Sequence, residues 1–489
     1  MTVPNRPPPA GLAPAGGLWP AHIPHPRLEA PSGAAVPAAP PAGPAGFAPP
    51  HGVRVLVEQF AERYPWRGVQ WTTAYVGFLG YLFAITTYRL PIGDVSMVVG
   101  LAGLLAQKDR IRVPGILKGL ALFLVWCVIG YSTTRYQHMM TLRLEVVGKM
   151  WFVALVAANA LRTRAQIRFA LVFWLACFAF YPVRGSIFNY YIYHETVVGR
   201  ASWNYIFQNP NDVAAYCVLQ LSLAFGLLAM ERKGPVRLAT MLGLAVIPFL
   251  VLLTKSRGGF LGMAVFVMFV FMAQKKRGKA LVIIGLVGAL VVAVAPSNVL
   301  DRVRGLKEVQ EGNLEEADKE GSAFQRYEIW KVAGTMIREH PVAGVGLGVY
   351  PAMHRLTSLR PQFDPTAHGS RDTHSTYLNV TAETGFVGAA IFFGSYLFTL
   401  LWVNGVRKRA KDVLPRTSRL LYAVIAGTIG FFVSAVFGSM AHVSFLLLQV
   451  IFLWALAEVV NREVDEIKKG RLIVAPAESI VPKKRRVRR

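Results

Sequence analysis

Long apolar runs separated by short polar segments make up most of the chain. Backbone groups in hydrocarbon must be hydrogen-bonded within their own segment, so runs of roughly 20 apolar residues predict membrane-spanning helices. Twelve such runs lie near residues 70–87, 91–106, 115–132, 147–161, 167–182, 212–230, 236–254, 258–273, 279–296, 377–402, 419–438 and 440–460. The pattern therefore predicts an all-α polytopic membrane protein with about 12 transmembrane helices.

The composition agrees with this prediction. Of the 489 residues, 54% are hydrophobic and 16% are charged, whereas about 25% of the residues of an ordinary globular protein are charged. The three cysteines, Cys127, Cys177 and Cys217, all lie inside apolar runs. They are predicted to be small buried hydrophobic residues rather than parts of a disulfide or metal framework.

The two ends of the chain differ from the middle. Residues 1–52 are rich in Pro, Ala and Gly, a composition that cannot bury a core, so they are predicted to form a disordered cytoplasmic tail. Residues 463–489 are predicted to form a basic tail that ends in "VPKKRRVRR", which either touches anionic lipid headgroups or remains solvated. Residues 53–462 are then the membrane domain. No folded module accompanies either tail, so nucleic-acid binding is not expected.

The distribution of Lys and Arg predicts the topology. Even-numbered loops carry clusters of basic residues, whereas most odd-numbered loops carry few, and loop eleven carries none. Because positively charged loops stay in the cytoplasm, both termini are predicted to be cytoplasmic and the odd-numbered loops to face outward. Loop ten shows the enrichment most clearly, with Arg407, Lys408, Arg409, Lys411, Arg416 and Arg419.

One outward-facing loop, residues 298–376 between the ninth and tenth predicted spans, is far longer than the others. Its segment "SAFQRYEIWKVAGTMIREHP" predicts an amphipathic helix that roofs the membrane domain and ends before Pro341. Its apolar residues at helical spacing are Phe324, Tyr327, Trp330 and Ile337. The following "GVGLGVY" is a Gly-rich turn and not a dinucleotide fingerprint, because no βαβ unit surrounds it.

Basic residues in the outward-facing loops are unexpected and so become candidates for chemistry. Arg184 lies in "PVRGSIFNYY", Arg200 in "GRASWNYIFQNPND", and Arg326 on the predicted roof helix. Lys255 and Arg257 lie in "LTKSRGGFLG", directly between two spans. A guanidinium presents paired donors that match phosphate oxygens. The alternative for each is a basic side chain that simply reaches water from the end of a span.

The segment "SRDTHSTYLNVTAETG" places His374 at the outer end of the tenth predicted span. An unperturbed histidine has a pKa of about 6.5 and can exchange a proton at neutral pH; the alternative is a structural histidine. Tyr377 begins the span, and Glu383 follows about two helical turns later as either a second polar contact or a satisfied buried acid. Asp212, in "NPND", is predicted to cap the sixth span.

Four segments resemble successive motifs of the O-antigen ligase and polysaccharide polymerase superfamily. They are "GRASWNYIFQNPNDVAAY", "LTKSRGGFLG", "QRYEIWKVAGTMIREHPVAGVGLGVY" and "THSTYLNVTAETGFVGAAIFF". The resemblance covers roughly residues 180–400, with the motifs in the family order and the long outer loop in the family position. The family histidine is usually followed by Asn, whereas Ser375 follows His374 in this chain. The resemblance implies a GT-C-like helical fold in the bacterial inner membrane, with a large periplasmic loop between helices 9 and 10.

The resemblance also implies a reaction in which a glycan carried on undecaprenyl diphosphate is transferred to an acceptor hydroxyl at the periplasmic face. His374 would accept the proton of the acceptor, Arg200 and Arg257 would bind the diphosphate, and Arg326 would hold the diphosphate or the sugar. Arg184, Tyr377 and Glu383 are further candidates for substrate binding. No metal, nucleotide or other cofactor is expected.

The expected partners are a lipid-linked donor, a glycan or lipid A-core acceptor, membrane lipids and a chain-length regulator. The sequence does not separate polymerase from ligase, nor does it give the sugar, linkage or oligomeric state. The alternative class is a membrane transporter or flippase of lipid-linked glycans. Carriers built from two halves tend to show internal repeats with sites near the bilayer midplane, and no such halving is evident in this sequence.

Overall fold

The computed structural model of the protein describes residues 53–60, 64–107, 109–132, 134–274, 276–278, 281–282, 285–286, 322–441 and 443–475. The predicted amino-terminal tail, most of the ninth predicted span, residues 298–321 of the outer loop and the terminal "VPKKRRVRR" lie outside the described residues.

Within the described residues the fold is almost entirely helical, and two short strands are the exception. The strands are β1 (Arg54–Val57) and β2 (Leu472–Ala475). The helices are α1 (Thr73–Thr87), α2 (Gly93–Leu105), α3 (Gly115–Ile129), α4 (Gln137–Ala160), α5 (Arg164–Phe178), α6 (Arg184–Phe188), α7 (Pro210–Met230), α8 (Pro235–Leu253), α9 (Arg257–Met272), α10 (Ser322–Glu339), α11 (Tyr350–Thr357), α12 (Thr376–Ala410), α13 (Pro415–Ser434) and α14 (Ser444–Lys468).

Seven helical segments in the described part of the chain are long and apolar enough to cross a membrane. They are α3 with its following 3₁₀ turn, the continuous helix from α5 through α6 to Tyr193, and α7, α8, α12, α13 and α14. The helices α1, α2 and α9 are apolar but shorter. The chain is therefore a polytopic membrane protein, as the hydrophobic pattern predicts. The count of twelve spans stays a prediction, because the ninth lies mostly outside the described residues.

Two predicted boundaries and one predicted apolar face differ from the observed ones. The boundaries differ because hydropathy marks apolar surface and not helix length. The fourth span was predicted at 147–161, yet α4 begins at Gln137 and carries Glu145 and Lys149, whose side chains form an ion pair at 2.8 Å. The basic tail was predicted to begin at 463, yet α14 continues through Lys468. The predicted roof helix is α10, but Phe324 and Tyr327 of its predicted apolar face are exposed. The buried residues of α10 are instead Glu328, Ile329, Val332, Ala333, Met336 and Ile337.

Small residues allow α7, α9 and α13 to pack closely. A Cβ atom added at Gly262 of α9 would lie 2.1 Å from Ser434 Oγ and 2.4 Å from Gly430 O of α13. A Cβ atom at Gly427 of α13 would lie 2.1 Å from Ser222 Cβ of α7. Helix association in lipid depends on this kind of close backbone approach, because apolar side chains gain little by leaving lipid tails.

At one end of the bundle the first and last described segments meet, since β1 and β2 pair in parallel with Arg54 opposite Leu472. We call this end the strand end. Arg168 of α5 forms a two-pronged ion pair with Glu231, with N–O distances of 2.7 and 2.8 Å, and both side chains are buried. Arg164 makes a similar pair with Glu463 of α14. The first pair joins α5 to the end of α7, and the second attaches the extended last helix to α5.

The long helix α12 is broken at Gly385, where φ is +68° and ψ is −177°. Only glycine adopts this backbone conformation without strain. The "GVGLGVY" segment fits against the break, and Phe386 N donates a hydrogen bond to Pro341 O at 2.8 Å. Three carbonyl oxygens beside the break accept hydrogen bonds at 2.9 Å each: Ala382 O from Val345 N, Glu383 O from Gly346 N, and Thr384 O from Trp126 Nε1.

We expect Gly385→Ala to lower the apparent Tm of the purified protein, with a loss of stability of at least about 1–2 kcal/mol from the backbone conformation alone. The new Cβ atom would also lie 2.0 Å from Val342 O. Gly405→Ala is the matched control, because Gly405 lies on the same helix with no atom within 4 Å of an added Cβ atom. Equal melting temperatures for the two variants would contradict the proposed constraint.

Candidate functional site

Three of the predicted site residues, Arg200, Arg257 and His374, lie at the end of the bundle opposite the strand end. Helix α7 connects the two ends, since Asn211 at its start contacts Arg200 and Met230 at its end contacts Phe60. We call the end that carries Arg200, Arg257 and His374 the site end. Residues 434–440 join its parts: Ser434 Oγ donates to Gly258 O at 3.0 Å, and Thr376 Oγ1 donates to Gly438 O at 2.7 Å.

Arg200 is held between the starts of two membrane helices. Its Nε donates to Thr254 O at 2.8 Å, and its Nη2 donates to Asn211 Oδ1 at 2.7 Å. Ser256, which caps the amino terminus of α9, donates to the same amide oxygen at 2.9 Å. The guanidinium therefore sits in a fixed position beside the segment that carries Lys255 and Arg257.

Arg257 is the first residue of α9 and is half-buried. Its Nε atom is buried and has no hydrogen-bond partner among the residues that the structure describes. The amino terminus of a helix carries a partial positive charge and unpaired N–H groups, so it stabilises an anion. The neighbouring Lys255 is buried, with a left-handed backbone at φ +50°. Together these groups form a short, strongly electropositive segment.

The loop before α12 holds His374 in place through its neighbours. Thr373 Oγ1 accepts from Ser375 N at 3.2 Å and lies 2.8 Å from Ser439 Oγ. On the opposite side, Trp330 of α10 donates its indole N–H to Thr373 O at 2.8 Å. His374 itself is half-buried and has a left-handed backbone at φ +48°. An unusual backbone conformation that is fixed on both sides is typical of a functional position.

The surroundings of His374 favour its neutral form. Burial lowers the pKa of His374 below its ordinary value, and the positive charge of Arg326 lowers it further. Asp372 acts in the opposite direction and Arg371 adds a smaller lowering. The structure thus brings Arg326 of the roof helix α10 close enough to His374 to affect its protonation. A neutral imidazole at pH 7 is the form that can accept a proton.

The other three predicted site residues have different positions. Glu383 is buried, and its Oε1 accepts from Tyr350 N and from Asn379 Nδ2, at 3.4 and 3.3 Å. Both of these contacts are long for hydrogen bonds, and the role of Glu383 in substrate binding stays a prediction. Tyr377 donates its hydroxyl to Phe432 O at 3.0 Å. The Arg184 side chain is exposed, with its guanidinium 4.5 Å from the centre of the Phe188 ring.

The structure adds residues that the sequence pattern did not single out. Asn211 accepts hydrogen bonds from both Arg200 and Ser256. The sequence analysis had singled out only the neighbouring Asp212, as a predicted helix cap. That prediction was wrong, because Asn209 caps α7 by accepting from Asn211 N, and Asp212 lies within the first turn. The "NPND" sequence does indicate Asn209 as the cap, since Asn before Pro at the start of a helix is a strong capping pattern. No group of three or more potential metal ligands of the His, Cys, Asp and Glu types occurs among the described residues.

The membrane-spanning helices define the chain as a polytopic membrane protein, and Arg200, Arg257 and His374 lie at one end of its bundle. The family model described as O-antigen ligase matches residues 240–393. The matched segment includes Arg257, Arg326 and His374. The matched segment resembles the O-antigen ligase family, and the resemblance predicted from the motifs is confirmed. No curated protein matches the chain at a significant level.

We expect Thr376→Val to destabilise the site end by about 1–3 kcal/mol, because the near-isosteric valine leaves two buried backbone groups without partners. Thr376 Oγ1 donates to Gly438 O and accepts from Met440 N at 2.8 Å. Thr376→Ser retains the hydroxyl and should remain close to the unsubstituted protein. Thr381→Val is the control, since Thr381 is only half-buried and its hydroxyl donates to Tyr377 O within its own helix. Thermal unfolding measures the effect, and equal losses for Thr376→Val and Thr381→Val would contradict it.

Proposed function

We propose that the protein is a membrane glycosyltransferase that moves a glycan from undecaprenyl diphosphate to an acceptor hydroxyl. The observation that carries the proposal is the arrangement at the site end. It combines an arginine at a helix amino terminus, with a buried Nε lacking a described partner, and a half-buried histidine whose pKa is lowered. The first suits a phosphate group, and the second suits a hydroxyl that must lose its proton.

The leaving diphosphate is assigned to Arg200 and Arg257. When the glycosidic bond to the diphosphate breaks, its electron pair and negative charge pass to the diphosphate oxygen. Arg257 at the start of α9, together with the fixed guanidinium of Arg200, would stabilise this charge without reorganisation. Because Arg200 is held by Thr254 and Asn211, the direction of its guanidinium is set before substrate arrives.

The acceptor hydroxyl is assigned to His374. Its oxygen would attack the anomeric carbon of the donor sugar, and the hydroxyl proton would pass to the neutral imidazole. Arg326 would contact the diphosphate or the sugar while its charge keeps His374 unprotonated. Tyr377, Glu383 and Arg184 complete the proposed substrate contacts, with Glu383 acting through the position of the "GVGLGVY" segment.

The proposed orientation places the site end in the periplasm and the strand end in the cytoplasm of an inner-membrane protein. The charge pattern of the loops supports it, and so does the pairing of β1 with β2, which puts both ends of the described chain on one side. The acceptor would be a growing glycan in a polymerase, working with a chain-length regulator, or a lipid A core in a ligase.

The alternative of a transporter or flippase has less support. In carriers the backbone groups freed at a broken membrane helix commonly bind the substrate or ion. In α12 the carbonyl oxygens of residues 382–384 beside the break already accept hydrogen bonds from Val345, Gly346 and Trp126. The break therefore serves to fasten a loop and is not left open to a transport path.

We expect Arg200→Ala and Arg257→Ala each to abolish glycan transfer without changing the protein level. Lysine at either position should restore little activity, because an ammonium cannot offer paired donors in a fixed geometry. Transfer is measured with purified enzyme in lipid and a lipid-linked donor. Arg338→Ala is the control, since Arg338 is an exposed arginine of α10. Full activity in both alanine variants would show that these arginines do not bind the diphosphate and only extend from the ends of the spans into water.

We expect His374→Ala to reduce the transfer rate by about 10²–10⁴-fold, the usual contribution of a general base. Donor binding should change little, because the arginines hold the diphosphate. His374→Gln can retain a hydrogen bond but cannot take up the proton. Equal losses in the two variants identify a base, whereas strong rescue by Gln identifies a residue that orients the hydroxyl. Transfer at the unsubstituted rate in both would exclude His374 from the reaction.

We expect Arg326→Gln to move the acidic limb of the pH–rate profile to higher pH. Arg326 lowers the pKa of His374, so its removal lets that pKa rise. As the solution is acidified, His374 then becomes protonated at a higher pH than in the unsubstituted protein. The largest loss of activity is therefore expected below neutral pH. Arg338→Gln removes the same charge from an exposed position of the same helix and should leave the limb in place. An unchanged limb in Arg326→Gln would contradict the proposed coupling.

A further inference from the structure

A large cavity lies away from the site end. It is a groove of about 610 Å³ between α3, α12 and α14. Along α12 it extends from Ala390 to Trp402, which is about 18 Å at 1.5 Å per residue. That length is close to one half of a hydrocarbon core of about 30 Å. The groove therefore has the length of the acyl chain region of a single leaflet.

The groove belongs to the half of the bundle nearer the strand end. Helix α3 reaches the level of the α12 break at Trp126, which donates to Thr384 O. Its opposite end, where Gly115 lines the groove, follows Arg112, which is hydrogen-bonded to Asn159 near the strand end. The leaflet in question is thus the one opposite the proposed transfer site, and the groove is not continuous with the arginines there.

Open glycines shape the groove. A Cβ atom added at Gly115 would meet nothing within 4 Å, and one at Gly394 would meet only Phe398 at 3.9 Å. The floor is different, because a Cβ atom at Gly119 would lie 2.0 Å from Ser395 Oγ. The helices α3 and α12 thus pack closely at the floor of the groove, and glycines line its walls. This arrangement leaves an apolar groove between two membrane helices.

Charged groups stand at one end of this groove. Glu458 and Trp454 of α14 line it, and the guanidinium of Arg112 lies 5.5 Å from the centre of the Trp454 ring. The Nε atom of Arg112 is buried and has no hydrogen-bond partner within the described part of the chain. Burial and the positive charges of Arg162 and Arg462 lower the pKa of Arg112 to about 10, while Glu458 acts in the opposite direction. The Arg112 Nη2 atom donates to the carbonyl oxygens of Ala158 and Leu161, so the guanidinium is held in place by backbone groups beside the groove.

We propose that this groove binds one phospholipid of the leaflet at the strand end, with an acyl chain between α3 and α12. The phosphate would lie at Arg112, and a headgroup ammonium would lie at Glu458, which lines the groove. Trp402 and Trp454 line the groove near this end, where amphipathic rings favour the headgroup level. The charge pattern selects a phospholipid with an amine, such as phosphatidylethanolamine, over one without it.

Native mass spectrometry of the full-length protein in mild detergent, titrated with dioleoyl phosphatidylethanolamine, tests the proposal. We expect one saturable site. Gly394→Leu and Gly115→Leu fill the groove without a clash, and each should weaken binding about tenfold or more. Gly405→Leu is the matched control on the same helix, also with open space around its Cβ position but outside the groove, and should bind as the unsubstituted protein does.

Four further probes separate the contribution of the headgroup to binding from that of the acyl chains. Arg112→Gln should weaken binding about tenfold, the scale of a lost charge-assisted hydrogen bond. Dioleoylglycerol, which has the same chains without phosphate, should fail to compete. Phosphatidylglycerol, which lacks the amine, should bind more weakly than phosphatidylethanolamine, and Glu458→Gln should remove that difference.

The proposal fails if both filled-groove variants bind phosphatidylethanolamine as tightly as Gly405→Leu. It also fails if dioleoylglycerol competes as well as the phospholipid, since the groove would then be only an apolar cleft. If undecaprenyl phosphate occupies the site and phosphatidylethanolamine does not, the groove holds a polyprenyl chain instead. None of these results bears on the transfer reaction, which is measured separately through Arg257 and His374.

Discussion

The need to satisfy backbone hydrogen bonds inside a membrane protein governs the site end. Breaking α12 at Gly385 would leave polar carbonyl groups in a poorly hydrated region, where each unsatisfied group costs several kcal/mol. The "GVGLGVY" segment supplies two N–H donors and Trp126 supplies a third. The same segment connects the roof helix α10 to α11, so the break in one membrane helix fixes the position of the loop that covers the site.

The two ends of the bundle use their positive charge differently. At the strand end, arginines meet carboxylates directly, as Arg168 meets Glu231 and Arg164 meets Glu463. Such pairs attach helices to one another, and breaking one would leave a buried charge without compensation. At the site end, hydrogen bonds to a carbonyl oxygen and an amide oxygen fix the direction of the Arg200 guanidinium. A cation that is positioned in this way can act on a bound anion.

The sequence was sufficient for the features that depend on composition and local pattern. Apolar runs identified membrane helices, and a Gly-rich turn followed an amphipathic helix as predicted. The grouping of Arg257 with His374 could not be derived in the same way, because residues 434–440 join them through contacts that are distant along the chain. The exposed Phe324 and Tyr327 show a similar limit: helical spacing identifies a helix, but neighbouring elements decide which face is buried.

The pairing of β1 with β2 has a consequence for how the protein is made. Residues 54–57 lie near the beginning of the chain, and their partners at 472–475 are synthesised only after every described helix. The strand pair must therefore form late, once the last helix has been inserted and its end has reached the same side as β1. An error in the insertion of an odd number of helices would separate the two strands across the bilayer. The two strands can therefore pair only when the intervening chain has crossed the membrane an even number of times.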